Sequence, residues 1–152
     1  MNIGTQFEAT LAKSWVASGL NLLRLKITET GEERPCDERI DLDNLRLFNE
    51  LKSVQGDTFN VRLIKQHQLK SLYVINNKFK DSLGLIFIEF RKHNIVKVID
   101  ILSLLNYIKI NESMSFRYNS SLGYNLVKNN DIYLINNEFV KHLEHLSLGQ
   151  KN

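Results

Sequence analysis

Between Asp41 and Ser53 the chain alternates with a period of two. Leu45, Leu47 and Leu51 share one parity, and Arg46, Phe48, Glu50 and Lys52 the other. This predicts a strand over 45–53 with leucines on one face and Glu50 and Lys52 on the opposite one. Asn49 interrupts the apolar parity and Phe48 the polar one. Asp41-Leu42-Asp43-Asn44 supplies turn chemistry just upstream, so 37–53 reads as a hairpin with Asp37 at its outer end. Gly84 to Phe90 and Ile95 to Ile99 read as a second strand pair across a short polar turn. The full expectation is strands near 21–28, 37–42, 45–53, 84–91, 95–99 and 132–136, with helices at about 5–18, 61–76, 100–108 and 137–147. Thr5-x-x-Glu8 has the capping-box pattern for the first helix, and Gly19 suits its C-terminal stop. The mixture predicts an α/β layer arrangement.

With 152 residues, 43% of them hydrophobic, the chain is expected to form one domain, 1–152, around a substantial core. No apolar run approaches the roughly 20 residues of a membrane span, and the N-terminus lacks a signal-peptide pattern, so no membrane association and a cytoplasmic location are expected. Cys36 is the single cysteine, which excludes an intramolecular disulfide and a cysteine-rich zinc site. A net charge of +3 permits a nucleic-acid partner without requiring one.

Chemistry enters at Glu50-Leu51-Lys52, thirteen residues after Asp37. Glu-x-Lys alone turns up about once by chance in a chain of this length. Here it is the one place where an acid precedes a lysine by two, and it falls in a predicted strand whose neighbour opens with an aspartate. Two acids and a lysine so placed are the minimal kit for holding a divalent metal, activating water and cleaving a phosphodiester. Mg²⁺ prefers hard oxygens, which the two carboxylates and the Leu51 carbonyl would offer, and Mn²⁺ is the expected substitute. Asp41 and Asp43 are rivals for the role of Asp37, although they suit a turn better than a strand start.

Helical projection adds two polar anomalies. Over 7–19, Phe7, Leu11, Ala12, Trp15 and Val16 fall on one arc with Glu8 near its centre. Over 61–75, Val61, Ile64, Leu72 and Ile75 group together with Gln68 in their midst. Burying such a group unpartnered costs on the order of 1–3 kcal/mol. Glu8 is accounted for by the capping box, by a site or by both, and Gln68 either by a backbone bond or by the same site.

Taken in order, Gly4-Thr5-Gln6-Phe7-Glu8, Asp37, Glu50-Leu51-Lys52 and Gln66-His67-Gln68-Leu69 resemble the PD-(D/E)xK nucleases, specifically the RecU-type Holliday junction resolvases. Leu122-Gly123-Tyr124-Asn125 and Asp131-Ile132-Tyr133-Leu134 are similar to that family's C-terminal segment. The resemblance implies a restriction-endonuclease-like mixed sheet flanked by helices, with an αβββαβ core. It implies that Asp37 and Glu50 are metal ligands, Lys52 positions water or steadies the phosphate, Glu8 is an added acid and Gln68 an organising amide. Two departures stand out. The family's long stalk between its first two strands is reduced to about eight residues, Glu29 to Cys36, and Cys36 separates Pro35 from Asp37.

The implied substrate is branched DNA, a four-way junction, and its two-fold symmetry makes a homodimer the natural design. Arg62, Lys65, His67 and Lys70 around the second helix, with Arg91, Lys92, His93 and Lys97 at the second strand pair, are candidates for phosphate contacts. Each alone is an ordinary solvated charge. Competing readings are another nuclease of the same fold, restriction-like or branch-trimming, and a DNA-binding module without catalysis. His142 and His145 are three apart on an expected helix, and a solvated face explains them better than a metal site.

Overall fold

The structure, a computed structural model, describes residues 2–27 and 34–151. Among the described residues there are four α-helices: α1 (Ile3–Ala17), α2 (Gln66–Lys78), α3 (Ile101–Asn111) and α4 (Asn137–Lys151). The strands are β1 (Leu23–Lys26), β2 (Glu38–Asp41), β3 (Arg46–Val54), β4 (Thr58–Asn60), β5 (Ser82–Phe90), β6 (Ile95–Asp100), β7 (Ser115–Arg117), β8 (Tyr124–Asn129) and β9 (Ile132–Tyr133). Seven strands form one sheet in the order β1-β2-β3-β5-β6-β8-β9, while β4 and β7 pair separately. β3 and β5 run parallel, joined through β4 and α2, and the other neighbours in the sheet are antiparallel.

β5 is buried along its whole length, as its unbroken apolar run requires of a central strand. Alternation sends its side chains into two cores. Leu85 and Phe87 join Phe7, Leu11 and Trp15 of α1, Leu47 and Leu51 of β3, and Phe139 of α4. Ile86 and Ile88 join Leu72 of α2 and Ile101 and Leu104 of α3. The result is a mixed sheet between two helical layers, the α/β arrangement expected from the sequence.

Helix α2 lies close to the sheet because β5 has no side chain where they meet. A Cβ on Gly84 would stand 2.6 Å from the Leu72 carbonyl oxygen. The Gly84 amide, beyond the reach of β6, instead donates to Asn76 Oδ1 at 3.1 Å. Gly84→Ala must push the helix backbone away, and we expect it to lower unfolding free energy by about 1–3 kcal/mol in urea titration.

Several boundaries differ from the sequence expectation. The helix expected at 61–76 begins only at Gln66, because Asn60 Oδ1 accepts the Arg62 amide at 2.9 Å and the Val61 amide bonds the Met114 carbonyl. Strands β4 and β7 are three residues each, too short for a periodic signal, and β8 buries only Leu126. The capping box is not formed. Asn2 caps α1, its Oδ1 accepting the Thr5 amide at 2.8 Å, which places Thr5 inside the helix. Gly19 does follow the helix end with a positive φ of 70°. The strand expected at 21–28 is observed as Leu23–Lys26, and residue 28 lies outside the described residues. So does most of the shortened stalk segment, at 29–33.

Candidate active site

The hairpin brings the acids together by register. Glu38 pairs with Asn49, so Asp37, one residue outside β2, stands beside Glu50, and its amide bonds the Asn49 carbonyl at 2.9 Å. Beyond this point β2 has ended. The Leu51 amide, which would continue the ladder, donates instead to Asp37 Oδ2 at 2.7 Å. Amide and carbonyl of a strand residue face the same neighbour, so the Leu51 carbonyl also faces the side on which Asp37 sits.

Both carboxylates are buried, Glu50 with 1% exposure. Asp37 Oδ1 is paired with Arg34 at 2.8 Å, and Lys52 Nζ lies 3.9 Å from Glu50 Oε1. Burial first, then hydrogen bonding to Asp37 and its charge, push the Glu50 pKa from its ordinary 4.5 up to about 9, with Lys52 and Arg34 opposing the rise. The neighbouring Cys36 thiol is pushed up to about 12 by burial and by the same two carboxylates, which leaves it an inert part of the core.

Two oxygens of this face are unsatisfied. Glu50 Oε2 and Gln68 Oε1 are both buried with no hydrogen-bond partner among the described residues. Gln68 is buried on α2 together with Leu72 and Asn76. A divalent cation suits what is present: adjacent hard oxygens, one of them orphaned, and a raised carboxyl pKa that positive charge would relieve. Among the described residues, no three His, Cys, Asp or Glu side chains are grouped to hold a metal, so the carboxylates form a pair.

Glu8 lies differently from its expected place. The buried stripe of α1 is Phe7, Leu11, Ser14 and Trp15, with Val16 81% exposed, so Glu8 flanks the stripe rather than centring it. Its carboxylate pairs with Lys26 of β1 at 3.5 Å. The rivals of Asp37 are occupied at the opposite end of the hairpin, Asp41 by Arg39 at 2.7 Å and Asp43 by Asn21 at 2.8 Å.

Of the candidate phosphate contacts, Arg62 and Lys65 precede α2, Arg62 in a short 3-10 turn and Lys65 at the helix N-cap, while His67 and Lys70 lie on the helix. Arg91 bonds Ser53 Oγ at 2.9 Å, directly after Lys52, and Lys92 is 3.7 Å from Asp57. Lys97 is fully buried and donates to the Ser120 carbonyl and Asn125 Oδ1, each at 3.0 Å, and burial lowers its pKa. It is therefore no surface phosphate contact. Helix α4 carries His142 and His145, and burial lowers the His142 pKa, as suits a packed ring.

Sequence reasoning missed Arg34 and two buried networks. Asn49 breaks the apolar parity because its Nδ2 donates to Glu38 Oε2 at 3.0 Å, and Arg24 holds the other Glu38 oxygen at 3.0 Å. That broken parity was the visible signal. On β5, Glu89 accepts from Ser53 at 2.6 Å and from Tyr133 at 2.7 Å, which ties down the end of β3 beyond Lys52, and burial first, then this Glu89 contact, raises the Tyr133 pKa.

Neither a family model nor a curated protein matches the sequence. Solved structures do match in shape. The fold is of the restriction-endonuclease-like class, a mixed, curled sheet flanked by helices. The chain is similar to the 1.6 Å structure of Hjc from Archaeoglobus fulgidus, a Holliday junction resolvase from an archaeal hyperthermophile. The likeness has a TM-score of 0.52 at 13% identity and covers 82% of this chain and 88% of that one. Among the described residues, no helix is long and apolar enough to cross a membrane.

Proposed function

We propose that this chain is a Mg²⁺-dependent DNA endonuclease that resolves four-way junctions by paired phosphodiester hydrolysis, with Mn²⁺ as a replacement ion. One observation carries the reading: Asp37 and Glu50 are buried side by side with an unsatisfied oxygen, and the Lys52 ammonium is 3.9 Å from Glu50. Asp37, Glu50 and the Leu51 carbonyl would hold the cation. When bound, it supplies Lewis-acid charge and makes water acidic enough to act near neutral pH. Lys52 orients that water and counters the negative charge that grows on the phosphoryl oxygens. Arg34 holds Asp37 in place through its 2.8 Å ion pair, while Gln68 offers its free carbonyl to water at the site. Glu8, tied to Lys26, stands outside this ligand set.

Fold likeness to Hjc and the RecU-like order of motifs support junction DNA as substrate. A homodimer would present two such sites to the two-fold-related strands. The substrate test is direct. With Mg²⁺, a mobile four-way junction should be cut at paired positions in preference to linear duplex built from the same arms. Equal cutting of the two substrates would make this a general nuclease of the same fold.

A further inference from the structure

The catalytic face of the sheet continues past Lys52 into a second cluster. Lys52 is in register with Ile88, Ile88 with Lys97 and Lys97 with Asn125, so these four side chains form one row on that face. Lys97 lies two strands from Lys52, about 10 Å away at the usual strand spacing. Its ammonium does not reach solvent. It holds the connection between β7 and β8 through the Ser120 carbonyl, and β8 itself through Asn125. At its far end this connection closes tightly: Gly123 has a φ of 80°, and a Cβ there would stand 2.6 Å from the Val98 carbonyl oxygen.

The near end of the connection is fixed by a second anchor. The His93 and Tyr118 rings are stacked, 3.5 Å apart and 8° from parallel, and the Tyr118 amide donates to the Asp57 carbonyl at 2.9 Å. Asp57 gathers three basic side chains: His93 at 2.6 Å, with Lys92 and Arg117 each at 3.7 Å. Lys92 and Arg117 keep about 60% of their side-chain surface in solvent, at 61% and 59%. One acid among these bases leaves the cluster positive. Tyr118 rests beside Phe90, which is in register with Val54, four residues beyond Glu50 on β3. The cluster therefore lies about 13 Å along the strand from the carboxylate pair, roughly four base-pair steps of duplex.

We propose that Lys92, Arg117 and the His93–Tyr118 stack, with the connection they brace, form a DNA-backbone contact surface about four base pairs from the scissile phosphate on the catalytic face. This deepens the nuclease reading and rests on it for the identity of the substrate. The anchors have a function in this view. A rigid cationic platform fixes the distance from a gripped phosphate to the carboxylates, and the neighbouring exposed Asn119 and Ser121 offer further hydrogen bonds to the backbone.

The test is salt-dependent binding of a labelled four-way junction to the full chain in EDTA, followed by fluorescence anisotropy. Each phosphate contact contributes about 0.9 to the slope of log affinity against log salt. Lys92→Ala with Arg117→Ala should lower the slope by about 1 to 2 and weaken binding about tenfold or more at 0.1 M salt. Lys97→Met should weaken binding with the slope falling in the same direction, and circular dichroism would confirm its fold. An unchanged slope in the well-folded double variant overturns the proposal. Cleavage by the unsubstituted chain in Mg²⁺ is scored separately. A cutting enzyme with an unchanged slope sinks the contact surface alone, whereas a reduced slope in a chain that never cuts leaves the surface standing and removes the nuclease.

Discussion

Glu50→Ala and Lys52→Ala are each expected to reduce Mg²⁺-dependent cleavage of junction DNA by at least about a thousandfold while leaving DNA binding largely intact. The size follows from what each group does. A preorganised charge aimed at a developing anion in a site shielded from water is worth about 10²–10³ in rate, and loss of a cation ligand adds to that. The sparing of binding follows from geometry. Glu50 is buried with 1% exposure, whereas the basic groups at Arg62, Lys65, Lys70, Lys92 and Arg117 are exposed and unaffected by its removal. Single-turnover cleavage at saturating enzyme, with anisotropy on the same junction, separates the two. Full activity in either variant removes the proposed site.

A second large effect concerns stability without metal. Glu50→Gln is expected to melt at a higher temperature than the parent in EDTA, by a margin that widens as pH rises. The unfolded carboxyl titrates near 4.5 and the folded one near 9. Below about pH 4.5 both states hold the proton, and the folded state's stronger grip on it contributes in full. Between 4.5 and 9 the folded chain holds a proton that the unfolded chain has released. Each pH unit in that window then costs up to about 1.4 kcal/mol, a cost the amide does not carry. Saturating Mg²⁺ should reverse the order, stabilising the parent and not the variant, and more at pH 8 than at pH 6 because binding must displace the proton. Melting curves at pH 5, 7 and 9, with and without Mg²⁺, give the answer. A parent chain as stable as Glu50→Gln across the range would show that the pair is not strained.

Such a pair is a functional expense that the rest of the fold offsets. Glu38 is just as buried as Glu50, yet Arg24 and Asn49 satisfy both its oxygens. Two acids one strand position apart in the same hairpin thus have opposite status. One is a solved structural problem and the other is left open.

This contrast also separates what the sequence disclosed from what it did not. The alternation of Leu45, Leu47 and Leu51 against Phe48, Glu50 and Lys52 placed the site strand to within a residue, because period-two patterning is a direct consequence of a two-faced sheet. The hairpin register that puts Asp37 beside Glu50 followed from the turn residues at 41–44. Gln68 was recognisable as a buried amide because it sits in an apolar stripe. The position of Glu8 relative to the buried stripe was misjudged because projection alone gave Ala12 and Val16 equal weight with Phe7 and Leu11, and large side chains decide where a helix docks. Arg34 carried no pattern of its own, since its role depends on a chain bend just before β2. Three-residue strands such as β4 and β7 are set by tertiary pairing rather than by local propensity, and with them went the true start of α2.

The central claim is that Asp37 and Glu50 share one divalent cation. Anomalous diffraction from crystals of the full chain soaked in Mn²⁺ tests it with least interpretation. The account predicts a single strong peak within coordination distance of an oxygen from each carboxylate, close to the Leu51 carbonyl and absent in Glu50→Gln crystals. A map with no peak at that place, or with Mn²⁺ held by other side chains while these two remain bare, would contradict it.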